Sequence, residues 1–362
     1  MRSATPPAAE QSDSRIATTF FAGMDEAGYG PTLGPLVVTG IAFRIPEPSS
    51  DKCFWQLLRA SCTKKPISRD RRLIIADSKQ LTRRKTLRSM DGSTKGSSMD
   101  GDDTKKRQDL SKLSQLERAA LVMLAVQNQS PHNFTELLQT VAPAALTDRS
   151  QYPWYANWNP DLPLAVQNSD LATCANAVRL DCSANQIDLA GVFCEIVPEA
   201  HFNALVKRTR NKATLLQGVG LRILDRIIRL AKDENVRIVA DRLGGRTHYR
   251  DAVNMLLPGY ELQILEESDT RSAYRSRFKN RTVDIEFLVK GESSHLPVAL
   301  ASIYSKYLRE LFIQAFNDYW SRHIQGIKPT AGYYADAQRW LADAGPTLTR
   351  HRIDPDTLIR LC

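Results

Sequence analysis

The apolar residues of this chain fall into short runs separated by segments that are dense in glycine, proline and charge. Two such runs, Thr18–Met24 and Leu36–Phe43, flank the segment DEAGYGPTLGP. Because glycine and proline mark turns, we expect the two runs to be neighbouring strands with an unusual connection. The other segments that predict strands are Ile187–Val197, Val236–Ala240, Glu261–Leu265 and Val283–Val289.

Helical periodicity occupies much of the remaining chain. In these segments apolar residues recur every three or four positions, the spacing of one buried helix face. The segments with this pattern are Leu113–Gln127, Phe134–Val141, Phe202–Lys232, Leu296–Phe316 and Asp336–Ala344. Strands and helices in this order predict an α/β fold with a mixed sheet, rather than a sandwich or a helical bundle.

Three segments have no clear period. Residues 1–17 are expected to form a disordered tail, and Ser89–Thr104, which is rich in Gly, Ser and Asp, is expected to be a linker. Gln151–Leu164 is rich in Trp, Tyr and Pro. The pattern favours an aromatic plug in a local core, and a platform on which bases stack is the alternative.

Length and composition exclude several classes of protein. The chain has 362 residues, 42% hydrophobic and 25% charged, which predicts a folded protein of one large or two modest domains. No apolar run is long enough to span a bilayer, and the first residues lack the apolar core of a secretory signal. We therefore expect a cytoplasmic protein, monomeric and without a membrane partner.

The net charge of +9 is concentrated in two segments. Residues 51–112 contain 17 Lys and Arg against 8 Asp and Glu, and residues 201–250 contain 12 against 4. Such basic segments indicate a polyanionic partner. The alternative is that the basic side chains only solubilise exposed helix faces.

Acidic residues stand at the ends of the predicted strands. They are Asp25 and Glu26 after the first strand, Asp241 after VRIVA, and Glu292 after the last strand. Carboxylates that converge repel one another unless a cation neutralises them, and oxygen ligands favour Mg²⁺ or Mn²⁺. For any single position a turn residue or a helix cap is the alternative. The four together favour a metal site, in which two ions would serve phosphodiester cleavage.

These residues lie in motifs that resemble type 2 ribonuclease H. The stretch MDEAGYGPTLGPLVV at residues 24–38 is similar to the family's D-E-A-G-R-G opening followed by G-P and an apolar strand. The other similar segments, in the family's order, are Asp77–Leu81, Val239–Asp241, Gly291–Glu292, Ala301–Lys306 with Arg309–Glu310, and Thr330–Tyr333 with Asp336.

The resemblance implies a ribonuclease H-like fold, a five-stranded mixed sheet flanked by helices. It also implies a Mg²⁺- or Mn²⁺-dependent endoribonuclease that cuts the RNA strand of RNA–DNA hybrids or nicks duplex DNA at ribonucleotides. The implied metal ligands and catalytic residues are Asp25, Glu26, Asp241 and Glu292. The implied substrate contacts are the Gly28–Gly30 backbone at the ribose 2′-OH, Lys79 at a phosphate, Tyr333 on a sugar, and Lys207 and Arg208 at phosphates.

The resemblance also divides the chain. Residues 18–90 and 181–345 would form the catalytic domain, 91–180 would be a linker and an insertion with helical and irregular parts, and 346–362 would be a C-terminal extension. The insertion has no recognised counterpart in the family.

Two departures from the family pattern leave alternatives open. Tyr29 stands where the family has arginine, and Glu292 stands where it has aspartate. Asp269 is a rival for the fourth acid, because the stretch from Glu266 to Lys290 is longer than the family needs. The alternatives to the nuclease are a nucleic-acid-binding protein of this fold with weak or lost catalysis, and a divergent DNA nuclease.

Overall fold

The computed structural model describes residues 17–65, 70–78, 81 and 101–361. The predicted tail up to residue 16, Lys79 and most of the predicted linker at Ser89–Thr104 lie outside these residues. The strands are β1 (Thr18–Ala27), β2 (Leu36–Pro46), β3 (Cys62–Thr63), β4 (Leu73–Ile74), β5 (Asp188–Val197), β6 (Asn235–Asp241), β7 (Glu261–Glu267), β8 (Arg271–Phe278) and β9 (Arg281–Leu288).

Helices make up most of the remaining described chain. They are α1 (Phe54–Leu57), α2 (Gly101–Val126), α3 (Phe134–Val141), α4 (Ala145–Arg149), α5 (Pro153–Ala156), α6 (Asn168–Ala184), α7 (Glu199–Thr209), α8 (Lys212–Leu230), α9 (Arg250–Leu256), α10 (Leu296–His323), α11 (Tyr334–Arg350) and α12 (Pro355–Leu358). Two single 3₁₀ turns lie at Glu47–Ser49 and Gly291–Ser293. No helix among the described residues is long and apolar enough to cross a membrane.

A mixed sheet of seven strands organises the molecule, in the order β5-β2-β1-β6-β9-β8-β7. β2 pairs antiparallel with both β1 and β5, whereas β1, β6 and β9 run parallel. The predicted mixed sheet flanked by helices is therefore confirmed. The resemblance implies five strands, whereas the observed sheet has seven. The antiparallel strands β8 and β7 extend the sheet beyond β9 at one edge.

The parallel trio of β1, β6 and β9 determines where the site lies. Parallel strands point their carboxyl ends to the same sheet edge. Met24 of β1 is in register with Ala240 of β6, so the next residues along these strands, Asp25 and Asp241, reach this edge side by side.

Two apolar layers cover the sheet. On one face α10 packs on β1 and β2, and on the other α8 packs on β2, β5 and β1. The approach of α10 is close enough to require glycine at position 23. A Cβ there would lie 2.2 Å from the carbonyl carbon of Pro297. This close packing brings the side chains of α10 to the end of β1.

The inserted helices share the apolar cluster of α10. Helix α10 contacts both α2 and α5. Trp154 and Tyr155 are buried, with ring centroids 5.9 Å from Trp320 and 4.9 Å from Phe312 respectively. These two rings of the Gln151–Leu164 segment form the aromatic plug, and their burial excludes them as base-stacking partners.

Two sequence predictions need correction, and strand β8 was not predicted. The helix predicted over Phe202–Lys232 is two helices, because Arg210 adopts a left-handed conformation with φ of 51° and Asn211 caps α8. The linker predicted at Ser89–Thr104 ends earlier, since α2 begins at Gly101. The sequence pattern also does not predict β8. This strand accounts for the length of the stretch between Glu266 and Lys290.

Candidate active site

The four carboxylates predicted from the strand ends line one cavity at the carboxyl ends of the parallel strands. Asp25 and Glu26 end β1, Asp241 ends β6, and Glu292 lies in the 3₁₀ turn that follows β9. We call them the acidic wall. The cavity has a volume of about 250 Å³, and its other lining residues include Gly28, Tyr29, Gly30, Ser78, Ser302, Lys306, Arg309, Glu310 and Tyr333.

Backbone and helix contacts fix the acidic wall. The amide of Gly291 donates to Oδ1 of Asp241 at 3.0 Å, which ties the turn carrying Glu292 to the end of β6. The hydroxyl of Ser305 donates to the carbonyl of Asp25 at 3.1 Å. Asp269, the rival for the fourth acid, is exposed in the turn between β7 and β8 and does not line the cavity.

Asp25 is the first member of the acidic wall along the chain, and it is buried, with 7% exposed. Burial, followed by the charges of Glu26 and Asp241, raises the pKa of Asp25 well above its ordinary value of 3.8. A hydrogen bond from Ser302 and one from the amide of Glu26 oppose this shift. The protein thus holds a carboxyl group where its charged form is disfavoured, which is a common property of functional sites.

The donor set suits a hard divalent cation in its chemistry. Carboxylate oxygens are the ligands that Mg²⁺ and Mn²⁺ prefer, and a cation would relieve the repulsion that raises the pKa of Asp25. The arrangement of the carboxylate side chains fits a cation less closely than their chemistry does. Among the residues that the structure describes, no group of three or more His, Cys, Asp or Glu side chains is arranged so that it could hold a metal ion. Cation binding at the acidic wall would therefore require its side chains to draw closer.

The wall beside the carboxylates is the glycine loop, Gly28–Pro35. Arg309 of α10 anchors it from one side and is 2% exposed. Its Nη2 donates to the carbonyls of Ala331 at 2.9 Å and Leu33 at 3.4 Å. The same guanidinium lies 5.2 Å from the ring of Tyr333, so this predicted substrate residue stands at the cavity.

Arg360 also anchors the glycine loop, and no local pattern in the sequence predicts this role. Its guanidinium donates to the carbonyls of Gly28, Tyr29 and Gly34. It comes from the C-terminal extension, where a lone arginine belongs to no motif. Only the folded chain brings it to the loop.

Positively charged side chains surround Tyr29. The ammonium of Lys212 lies 5.2 Å from its ring centroid. Burial, followed by the charge of Glu26, raises the pKa of Tyr29, whereas Arg246 and Arg360 act to lower it. Positive charge from other segments therefore surrounds the position where the family pattern has arginine.

Glu199 is a buried acid beneath the loop, at the start of α7. Its Oε1 accepts hydrogen bonds from Tyr155 at 2.7 Å and from the amide of Gly34 at 3.2 Å. Burial raises its pKa to about 7, and these hydrogen bonds together with the charge of Arg360 limit the rise. The inserted segment, through Tyr155, thus contacts the support of the glycine loop.

The structure does not bring every predicted substrate residue to the cavity. Lys207 forms an ion pair with Asp356 of the C-terminal segment. Arg208 is exposed at the end of α7 and lines a different cavity, beside Glu195. The phosphate contacts predicted for both stay predictions. Lys79 lies outside the described residues.

Comparison with known proteins gives distant structural neighbours only. No protein-family model matches the chain, and no curated protein matches it. Similar solved structures include ribonuclease HII in its PCNA complex from Archaeoglobus fulgidus, with 12% identity, 94% of each chain covered and a TM-score of 0.37. Another is ribonuclease H2 from Pyrococcus horikoshii OT3, with 14% identity, 94% of this chain and 92% of that chain covered, and a TM-score of 0.40.

A third is Bst ribonuclease HIII in complex with Mn²⁺, with 14% identity, 99% of this chain and 73% of that chain covered, and a TM-score of 0.35. All three are ribonucleases H of types 2 and 3, and type 2 is the family whose motifs the sequence resembles.

Proposed function

We propose that this protein is a divalent-metal-dependent endoribonuclease that acts on the RNA strand of RNA–DNA hybrids or at ribonucleotides in duplex DNA. The observation that carries the proposal is the shared cavity of the acidic wall and the glycine loop. Carboxylates alone would suit many cation sites. The carboxylates lie beside the glycine loop, whose peptide groups can hydrogen-bond to a ribose hydroxyl. This position favours a nuclease that recognises RNA.

The acidic wall would hold the cation. Mg²⁺ or Mn²⁺ bound there supplies an activated water and charge stabilisation for phosphodiester cleavage. Ser302 holds the carboxylate of Asp25 by a hydrogen bond. Lys306 and Arg309 line the same cavity and supply positive charge for a phosphate group.

The glycine loop would distinguish RNA from DNA. Peptide N–H groups of the loop can donate to a ribose 2′-oxygen, which deoxyribose lacks. Tyr333 is 55% exposed at the rim, where its ring is available to a sugar. Loop and ring therefore act on the nucleotide next to the acidic wall.

A binding protein of the same fold is the second candidate. One observation favours it, namely that the described residues contain no group of three or more acidic, His or Cys side chains arranged to hold a metal ion. Such a protein would bind hybrid duplexes without cutting them.

A cleavage assay separates the candidates. Matched RNA–DNA, DNA–DNA and single-ribonucleotide duplexes are incubated with the protein, with and without Mg²⁺ or Mn²⁺. The proposal predicts cleavage of the ribonucleotide-containing duplexes only, and only with metal. Binding without cleavage would support the second candidate, and cleavage of the all-DNA duplex would support a DNA nuclease.

A further inference from the structure

A buried side-chain amide helps to dock the segment that follows α11 on α7. The side chain of Asn203 is 1% exposed. Its Nδ2 donates to the carbonyls of Asp356 at 2.9 Å and Ile359 at 2.7 Å, and its Oδ1 accepts from the amide of Leu361 at 2.8 Å. Three hydrogen bonds to one side chain fix the path of the chain on both sides of Arg360.

Arg360 belongs to this docked segment, and its side chain is buried, with 2% exposed. Its Nη1 donates to the carbonyls of Gly28 and Gly34, and its Nη2 donates to the carbonyl of Tyr29 at 3.0 Å. Its own amide donates to the carbonyl of Thr32 at 2.9 Å. One residue therefore binds four carbonyl groups of the glycine loop.

The guanidinium also has a fixed orientation. It lies 3.9 Å from the ring centroid of Phe202 on α7, a cation–π contact. A planar group with its donors in a fixed fork can hold several carbonyls at defined angles, which a lysine ammonium cannot.

These contacts determine which way the loop amides point. In a trans peptide the N–H and the C=O point in opposite directions. Because Arg360 draws the carbonyls of Gly28 and Tyr29 towards itself, the N–H groups of Tyr29 and Gly30 point away from it. Neither N–H donates to another described residue, and both residues line the cavity.

We infer that Arg360 is a positioning residue that presents the Tyr29 and Gly30 N–H groups to an oxygen acceptor of the substrate strand. Successive N–H groups that face one way form a concave site for oxygen, and the buried charge behind them strengthens its attraction for a phosphate or hydroxyl oxygen. This inference rests on the proposed function for the nature of the ligand, an RNA-containing strand. It assigns a role in recognition to the C-terminal extension.

Because Arg309 also holds the loop, the positioning role of Arg360 can be tested apart from the attachment of the loop. It holds the far side of the loop through the carbonyl of Leu33 and does not bind the carbonyls of Gly28 or Tyr29. Loss of Arg360 should therefore free the two peptide planes while the loop stays attached.

The experiment compares Arg360→Ala and Arg360→Lys with Arg350→Ala, which removes an exposed arginine at the end of α11. Three quantities are measured for each full-length variant: the melting temperature, amide hydrogen exchange of residues 28–34, and kcat and KM on an RNA–DNA hybrid. Cleavage by Arg360→Ala is repeated with ethylguanidinium added.

We expect Arg360→Ala to lower kcat/KM by about 10- to 100-fold, the size of one or two lost charged hydrogen bonds. Exchange at Thr32, Leu33 and Gly34, whose amides donate to Gly332 and Glu199, should stay slow because the loop stays attached. Ethylguanidinium should restore part of the activity, and Arg360→Lys should be intermediate. Arg350→Ala should match the wild type.

Two results would overturn the inference. One is a folded Arg360→Ala protein with wild-type kinetics. The other is an Arg360→Lys protein with wild-type kinetics, which decides the matter even if the alanine variant does not fold. If the wild type cleaves no substrate, the proposed function fails, and the affinities of the wild type and Arg360→Ala for the hybrid then decide whether Arg360 serves recognition.

Discussion

The two walls of the cavity are built on opposite electrostatic principles. The glycine loop carries carbonyl groups that two buried guanidinium groups satisfy, Arg309 at Leu33 and Arg360 at Gly28, Tyr29 and Gly34. The acidic wall gathers four carboxylates, and burial with like charge raises the pKa of Asp25. The comparison teaches that the protein itself satisfies the carbonyl groups of the wall proposed for recognition, whereas the charge of the wall proposed for chemistry would need a cation to neutralise it.

The largest expected effect is the loss of cleavage when the acidic wall is broken. Asp25→Asn should lower kcat by at least about 10³-fold, because metal-ion stabilisation amounts to several kcal/mol and each ~1.4 kcal/mol is tenfold in rate. Binding of the hybrid should persist, since a negative charge near the phosphates is removed. Steady-state kinetics and a binding titration measure the two quantities.

Asp269→Asn is the matched control, because Asp269 is exposed and lies outside the cavity. It should keep wild-type turnover. If the two variants are equally active, the assignment of Asp25 to catalysis is wrong.

The second prediction breaks the glycine loop. Gly28 has φ of +88°, and a Cβ there would lie 2.5 Å from the carbonyl oxygen of Pro35. Gly28→Ala should lower the free energy of unfolding by about 2–5 kcal/mol, from left-handed strain and overpacking. Chemical denaturation measures this change.

Gly30→Ala sharpens the same comparison. A Cβ at Gly30 meets no described atom within 4 Å, so the stability should be unchanged. Only a substrate close to the loop would meet the added methyl group, so KM for the hybrid should rise. A wild-type KM in this variant would mean that the substrate does not approach Gly30.

The third prediction concerns the buried support of the loop. Because the pKa of Glu199 is raised to about 7, its protonated form stabilises the fold. That contribution is complete below the ordinary value of 4.5 and is lost as the pH rises through about 7. Between pH 4.5 and 8 the wild type should lose about 2–3 kcal/mol relative to Glu199→Gln, at about 1.4 kcal/mol per pH unit of proton linkage. The prediction would be wrong if the free energies of unfolding of the wild type and of Glu199→Gln changed with pH in the same way.

The smallest expected effect is at Tyr29. Lys212 and Arg246 already place positive charge around this side chain. Tyr29→Arg should therefore change kcat/KM by no more than a few-fold and lower stability by about 0.2–1 kcal/mol through like-charge repulsion. A large gain in kcat/KM would show that the surrounding cations do not replace the family's arginine.

The sequence predicted the parts of the site that local patterns encode. Apolar strands that end in acids placed Asp25 and Asp241 at one edge, because parallel strands share that edge. Strand β8 was not predicted, since Arg271, Arg275 and Arg277 interrupt its apolar pattern. The break between α7 and α8 depends on a left-handed Arg210, a residue type common inside helices.

Long-range contacts limited the prediction of the glycine loop. Gly28 and Gly30 could be recognised from their motif, but the residues that hold the loop are distant in sequence. Arg360 is 332 positions from Gly28, and no helical or strand period connects them. Such contacts follow from the packing of α12 on α7, which local patterns do not encode.

The central claim is that a divalent cation completes the acidic wall, and the melting temperature tests it most directly. At neutral pH the raised pKa of Asp25 means that its charged form destabilises the fold. Without metal, Asp25→Asn should therefore melt above the wild type, and the difference should vanish as the pH falls below 4. Adding Mn²⁺ should raise the melting temperature of the wild type and leave the variant nearly unchanged. A wild type that melts higher than the variant without metal, and does not respond to Mn²⁺, would contradict the account.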